Sequence, residues 1–327
     1  MNKTFLAILF LVSFIKIASC QEKNNIKKVF LLNTEKHFIS SGDNFPDFGT
    51  KKDSLDKFLI ALHKDFTVKD FQNYTHFNDA KIQSIISLLE SKNWLHKINN
   101  TYKPTIFIAD DADGELLYKY AEPISKNITK SIVKNLSKIK DEFQTTEISK
   151  TQNFEKWSFL ILSNVLLDNW QINNIEKHFL KQKNRPLRNG KNYYCQITEN
   201  KNSKTEAFGI YGNQYQSLEE NKYLGIYGNN RTESTLTTSK NIISKTDNEI
   251  FGKIAENYLP ELIKILEKHR KYSFEIYSKL AYKNEITFEE FFIWWYHFIY
   301  TQSTNEMNSK GILSIPENGN FDFIIIE

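Results

Sequence analysis

The run Phe291-Phe292-Ile293-Trp294-Trp295-Tyr296-His297-Phe298 limits the fold more than any other part of the chain. Written as a helix it is apolar on every side, so none of its faces can be left to water. A membrane span needs about 20 such residues, and this run is too short by roughly half. It therefore predicts a helix at the centre of a core, wrapped completely by other elements. Thr287-Phe288-Glu289-Glu290, just ahead of it, has the spacing of a capping box, which sets the start of that helix. His297 lies within the aromatic run and reads as a core histidine.

The chain can supply such a core. It has 327 residues, 40% apolar and 14% aromatic, enough for two or three compact units and too apolar for a disordered chain. Apolar periodicity places helices at Leu55, Phe58, Leu59 and Leu62, and at Ile82, Ile85, Ile86 and Leu89. It places others over Pro123–Phe143, at Trp157, Leu160 and Ile161, at Ile172, Ile175 and Phe179, and at Ile254, Leu262 and Leu266. Thr67 with Asp70 reads as a capping box, and Asn78 as the start of the second helix. Val29–Leu32 reads as a short strand and Ser40–Pro46 as a loop.

Asp110-Asp111-Ala112-Asp113-Gly114 lies between apolar runs and predicts a hairpin turn. A second hairpin is expected from Gly311–Ile315, a turn at Pro316–Gly319, and Phe321–Ile326. Strands are expected at Asn192–Thr198, Ala207–Tyr211 and Tyr223–Tyr227. Gly209-Ile210-Tyr211-Gly212-Asn213 and Gly225-Ile226-Tyr227-Gly228-Asn229 are nearly the same string, with a spacing that suits neighbouring strands of one sheet.

The expected class is α+β, with two or three small units of helices plus short antiparallel sheets. The expected segments are residues 1–20 as a signal peptide and 21–50 as a tether with a short strand and loop. A helical unit with a hairpin (51–150), a mixed unit with an antiparallel sheet (151–240) and a helical unit with a C-terminal hairpin (241–327) follow. Helix, helix, hairpin in the outer units weakly resembles a winged helix. No DNA-binding role follows, because the expected wing is acidic and would repel phosphate.

The first twenty residues concern destination rather than fold. Lys3 precedes an apolar run from Phe5 to Ile15, the two regions of a secretory signal, and Ile17-Ala18-Ser19-Cys20 ends the segment. This stretch resembles the signal and lipobox of bacterial lipoproteins, with Lys16 and Ile17 departing from the commonest form. The resemblance implies thioether lipidation of Cys20, cleavage before it, and acylation of the new amino terminus. It implies an exported protein whose partner is a lipid bilayer. Gln21 in place of aspartate points to the outer membrane, on its periplasmic side or at the cell surface. The alternative is ordinary cleavage near Cys20 and a soluble secreted protein. Without Lys3 and Lys16, 41 basic residues stand against 39 acidic ones, a net charge of +2. That gives no basic field for nucleic acid.

Local signatures of catalysis are not found. The histidines form no His-x-x-x-His pair, the acids near Asp110 miss the calcium-loop spacing, and no cofactor or metal is implied. Cys195, among aromatics in an expected strand, reads as a buried inert thiol. The candidate binding residues lie in the middle segment, where three of the four arginines fall: Arg185, Arg188 and Arg231. An arginine fork matches carboxylates and phosphates as lysine does not. With Tyr194, Tyr211, Asn213, Tyr227 and Asn229 on one sheet, they could hold a glycan or an anionic peptide. The alternative is that these tyrosines and glycines serve packing. The functional expectation is a non-catalytic envelope lipoprotein that binds a protein or glycan partner. A secreted or envelope hydrolase acting on peptide or glycan is the alternative.

Overall fold

A computed structural model describes residues 25–200, 209–219, 221–230 and 238–326. It divides the chain into two compact units that interleave in sequence. Unit 1 takes the chain up to Ile108 and then Leu187–Ile197; unit 2 takes Ala109–Pro186 and the chain from Thr198 onward. The boundaries expected near residues 150 and 240 therefore both fall inside unit 2. Helices and short sheets make the protein an α+β molecule.

Unit 1 begins with helix α1 (Lys27–Leu31) and strand β1 (Thr34–Ser40). The apolar residues expected to form a strand are thus helical, and the strand comes just after them. Helices α2 (Leu55–His63), α3 (Val68–Thr75) and α4 (Asp79–Ser91) follow. Two of the local signals act as expected. Thr67 Oγ1 accepts the Asp70 amide at 3.1 Å while Asp70 accepts the Thr67 amide at 2.8 Å, and Asn78 accepts the Lys81 amide at 2.9 Å. Phe58, Leu59, Phe71, Ile85, Leu89 and Trp94 share one core.

A hairpin of β2 (Leu95–Ile98) and β3 (Thr101–Pro104) comes next, and Asn99 and Asn100 turn it with φ of 47° and 64°. Two consecutive positive φ values mark a primed turn, and asparagine tolerates that conformation better than most residues. Helix, helix, hairpin thus does occur in unit 1, but earlier than the Asp-Gly pair. Strands β4 (Phe107–Ala109), β5 (Leu187–Arg188) and β6 (Lys191–Glu199) complete a sheet of order β1-β6-β4, with β5 beside β6. Tyr193, Cys195 and Ile197 of β6 belong to the unit 1 core.

Unit 2 corrects the first hairpin expectation. Asp110 and Asp113 form a reciprocal capping box, and α5 runs from Asp111 to Phe143 with Gly114 and Pro123 inside it. The acids serve a helix N-terminus, which stabilises negative charge. Helix α6 (Phe154–Phe159) widens into a π-type segment at Leu160–Val165, and α7 (Ile172–Ile175) into another at Glu176–Leu180. Helices α8 (Lys245–Lys268), α9 (Arg270–Lys279) and α10 (Phe288–Ser309) close the helical part.

The second sheet runs β7-β8-β10-β9, from β7 (Gly212–Glu219), β8 (Lys222–Gly228), β9 (Ile242–Ile243) and β10 (Asn320–Ile326). The second repeated string lies in β8 as far as Gly228, but of the first only Gly212 and Asn213 enter a strand, antiparallel to Gly228 and Tyr227; Gly209–Tyr211, expected as part of a strand, leads into β7 without being one. The C-terminal hairpin does not form: β10 lies between β8 and β9, and Gly311–Ile315 is a turn after α10. Phe321, Phe323 and Ile325 bury one face of β10.

Helix α10 is the buried helix the aromatic run predicts. Phe291 to Thr301 are all buried, and Thr287 accepts the Glu290 amide at 3.3 Å. Among the described residues no helix is long and apolar enough to cross a membrane.

Gly228 sits where β8 meets the start of β10. A Cβ there would strike the Gly319 carbonyl and come within 2.7 Å of the Asn320 Cα, both backbone atoms. Gly228→Ala should therefore cost about 2–3 kcal/mol in urea unfolding, a cost typical of overpacking. Gly49→Ala, with nothing within 4 Å of its Cβ, should change little. Equal midpoints for the two variants would contradict this packing.

Candidate functional site

The richest concentration of polar groups lies inside unit 2, where α6 and its π segment meet β7, β8 and α10. Asp168, only 4% exposed, sits between the two π segments. Asn213 Nδ2 donates to Asp168 Oδ2 at 3.0 Å. Asn164 and Asn213 exchange amide hydrogen bonds at 2.8 and 3.0 Å. Ser163, in the same π segment, meets the Tyr227 hydroxyl and lies 2.6 Å from Thr304 Oγ1. A π segment adds a residue to a helical turn, and here it aims consecutive Ser163 and Asn164 at the sheet.

Four tyrosines surround this acid. Burial pushes the Tyr227, Tyr296 and Tyr300 phenols well above their ordinary value, and the Asp168 charge pushes each further up. Tyr215 on β7 keeps nearly half its surface exposed, but its hydroxyl lies against Asn169. Burial of that end, then Asp168, raises it too. Tyr300 donates to the Tyr211 carbonyl at 2.6 Å, and the Tyr211 hydroxyl donates to Asn305 at 2.8 Å. These phenols are held neutral at ordinary pH, and those of Tyr227 and Tyr300 are hydrogen-bonded within the protein.

The sequence-predicted residues fall as follows. Tyr211, Asn213, Tyr227 and Asn229 come together in unit 2, where Asn229 Nδ2 donates to the Gly209 carbonyl at 3.1 Å. Tyr211 and Tyr227 are 3% and 0% exposed, with the Phe159 ring 5.2 and 4.9 Å from theirs. Arg185, also in unit 2, forks onto Glu176 at 2.8 and 3.0 Å and reaches Asn173 at 3.0 Å. Arg188 and Tyr194 are in unit 1 instead. Arg188 is 3% exposed and donates to the Tyr193 and Thr105 carbonyls at 2.6 and 2.5 Å, and Tyr194 is wholly buried. Arg231 and Cys20 lie outside the described residues.

Thus the described residues of the expected tyrosine, asparagine and arginine sheet divide between the two units, Arg188 and Tyr194 in unit 1 and the others in unit 2. Those described are folded into two different cores, and their polar atoms face protein groups. An unsatisfied buried polar group is costly, so such side chains are drawn to each other and to open carbonyls. Asp168, Ser163, Asn164 and Tyr300 were missed as members of the cluster, because their meeting depends on long-range packing. The one available signal was Ser163-Asn164 inside an otherwise apolar helical run. Among the described residues no group of three or more His, Cys, Asp or Glu is placed to hold a metal ion. His297 is 7% exposed with Nδ1 2.8 Å from the Ile293 carbonyl, and Cys195 is wholly buried. No protein-family model, curated protein or solved structure matches this chain significantly.

The raised phenols carry a pH consequence. A tyrosine whose pKa is higher folded than unfolded contributes stability that is complete below about pH 10 and is lost as pH rises beyond it. Ultraviolet titration should show exposed tyrosines ionising near pH 10 and the Asp168 group ionising only together with loss of helical circular dichroism. A single reversible titration of all 16 tyrosines in a folded chain would contradict the buried arrangement.

Proposed function

We propose that the protein is an exported envelope lipoprotein, held to a bilayer by acyl chains on Cys20, with a non-catalytic binding or interaction role. The observation that carries the proposal is the order Lys3, apolar run, Ile17-Ala18-Ser19-Cys20. Two or more acyl chains give a stable anchor where a single one does not. Gln21 supports the outer membrane as destination, and an envelope protein or a glycan is the proposed partner.

The body supports an interaction role in one respect. Arg185, Arg188, Asn213 and Tyr227 are engaged with the protein's own groups, so a partner would meet the surface rather than this set. Of the elements around the polar cluster, β7 is the outer strand, and Gln214, Tyr215, Gln216 and Ser217 on it are exposed.

The test is intact mass and membrane fractionation of the native protein beside Cys20→Ala. Wild type should sediment with membranes and carry the mass of its acyl chains, while the variant should carry none. Two soluble forms starting near Gln21 would overturn the anchor and make a freely secreted protein the working account.

A further inference from the structure

Seven peptide steps separate Cys20 from Lys27, the first residue of α1, so covalent geometry alone keeps that helix within about 25 Å of the proposed anchor. On α1, Lys27, Lys28 and Leu31 lie on one face, since residues three and four apart are neighbours on a helix. Leu31 is 73% exposed, a high value for a large apolar side chain, while Val29 on the opposite side is 4% exposed and holds the helix to the core. Lys27 and Lys28 are exposed as well. The Phe30 ring lies 4.5 Å from the Tyr74 ring and 5.5 Å from that of Phe71, which fixes Tyr74 of α3, 39% exposed, beside α1. Lys57 donates to the Leu32 carbonyl and secures the end of the helix.

Leucine and tyrosine rimmed by lysine suit the boundary between lipid headgroups and acyl chains. We infer that this face of α1, with Tyr74, rests on an anionic phospholipid surface and makes a second contact beside the acyl anchor. The inference builds on the lipoprotein reading above. The patch is small, and a few lysines bind a charged surface only weakly on their own. Tethering changes that, because a short linker makes the contact intramolecular at an effective concentration in the millimolar range. Asp70, one turn before Tyr74, is tied to the Thr67 amide and hydroxyl at 2.8 and 2.7 Å, and exposed Lys69 stands next to it. A contact of this kind would orient unit 1 on the membrane, where an acyl chain alone leaves it free to tumble.

The test uses the full lipidated chain with an environment-sensitive dye on Asn73→Cys, an exposed position next to Tyr74; Cys195 is wholly buried. The protein is reconstituted in vesicles of phosphatidylcholine, alone or with about a third phosphatidylglycerol. The dye should shift to an apolar spectrum only in the anionic vesicles. Lys27→Glu with Lys28→Glu should cut the docked-to-undocked ratio roughly tenfold or more, and Leu31→Ser should also lower it. An aqueous spectrum in both vesicles, from protein whose mass shows its acyl chains, overturns this contact and leaves the anchor standing. An equal shift in neutral vesicles overturns the anionic surface. An unacylated mass overturns the anchor and the contact together.

Discussion

Unit 2 depends on the burial of α10 from Glu290 to Thr301. Its first half presents aromatic rings in every direction. Phe288 stacks on Phe274 at 3.8 Å, Phe292 meets Phe179 at 4.6 Å, and Phe291 meets Tyr282 at 5.0 Å. Such residues are mediocre helix formers, so packing rather than propensity holds the helix. Each large ring taken out of water contributes about 1.5–3 kcal/mol before any cost of ordering. No surface helix could gain as much, because half of its residues face solvent.

Further along α10 one face stays buried, and Thr301, Ser303 and Thr304 make it polar. Thr301 accepts the Tyr211 amide at 3.0 Å, Ser303 meets Thr129 of α5 at 3.0 Å, and Thr304 meets Ser163 at 2.6 Å. These small hydroxyls let α5, the π segment and the chain leading into β7 approach closely, and they fix which residue meets which. The Asp168 cluster extends the same logic. A carboxylate in a dry interior is costly unless its oxygens are bonded, and Asn213 supplies such a bond while being paired itself to Asn164. In this account the network sets the register of the sheet against the helices, and the tyrosines and asparagines that look suited to a ligand are its members.

What could be read from the sequence follows from the range of the interactions. Caps at Thr67, Asn78 and Thr287 are decided within four residues, and all three form as expected. The aromatic run of α10 could be read because only one environment accepts it. That two adjacent antiparallel strands occur in this region was legible, but β7 starts only at Gly212, three residues later than the start of the repeated string, so its bounds were not. Partner choice was not legible. Asp113-Gly114 has the composition of a turn, yet its acids cap a helix, and the turn forms at Asn99-Asn100 instead. Strand β10 has a local candidate partner in Gly311–Ile315 but pairs with β8, about a hundred residues earlier in sequence, a long-range choice that no local pattern signals. Arg185 and Arg188 were read by type, whereas their roles are set by a nearby acid and by open carbonyls.

The claim on which this account rests is that α10 is the last element of unit 2 to open. Native-state hydrogen exchange resolved along Phe291–Thr304 tests it most directly. The account predicts that these amides exchange only through global unfolding of the unit, with the same free energy and urea dependence as its unfolding transition. Exchange of α10 through a smaller opening, while α5 and β8 remain protected, would contradict it.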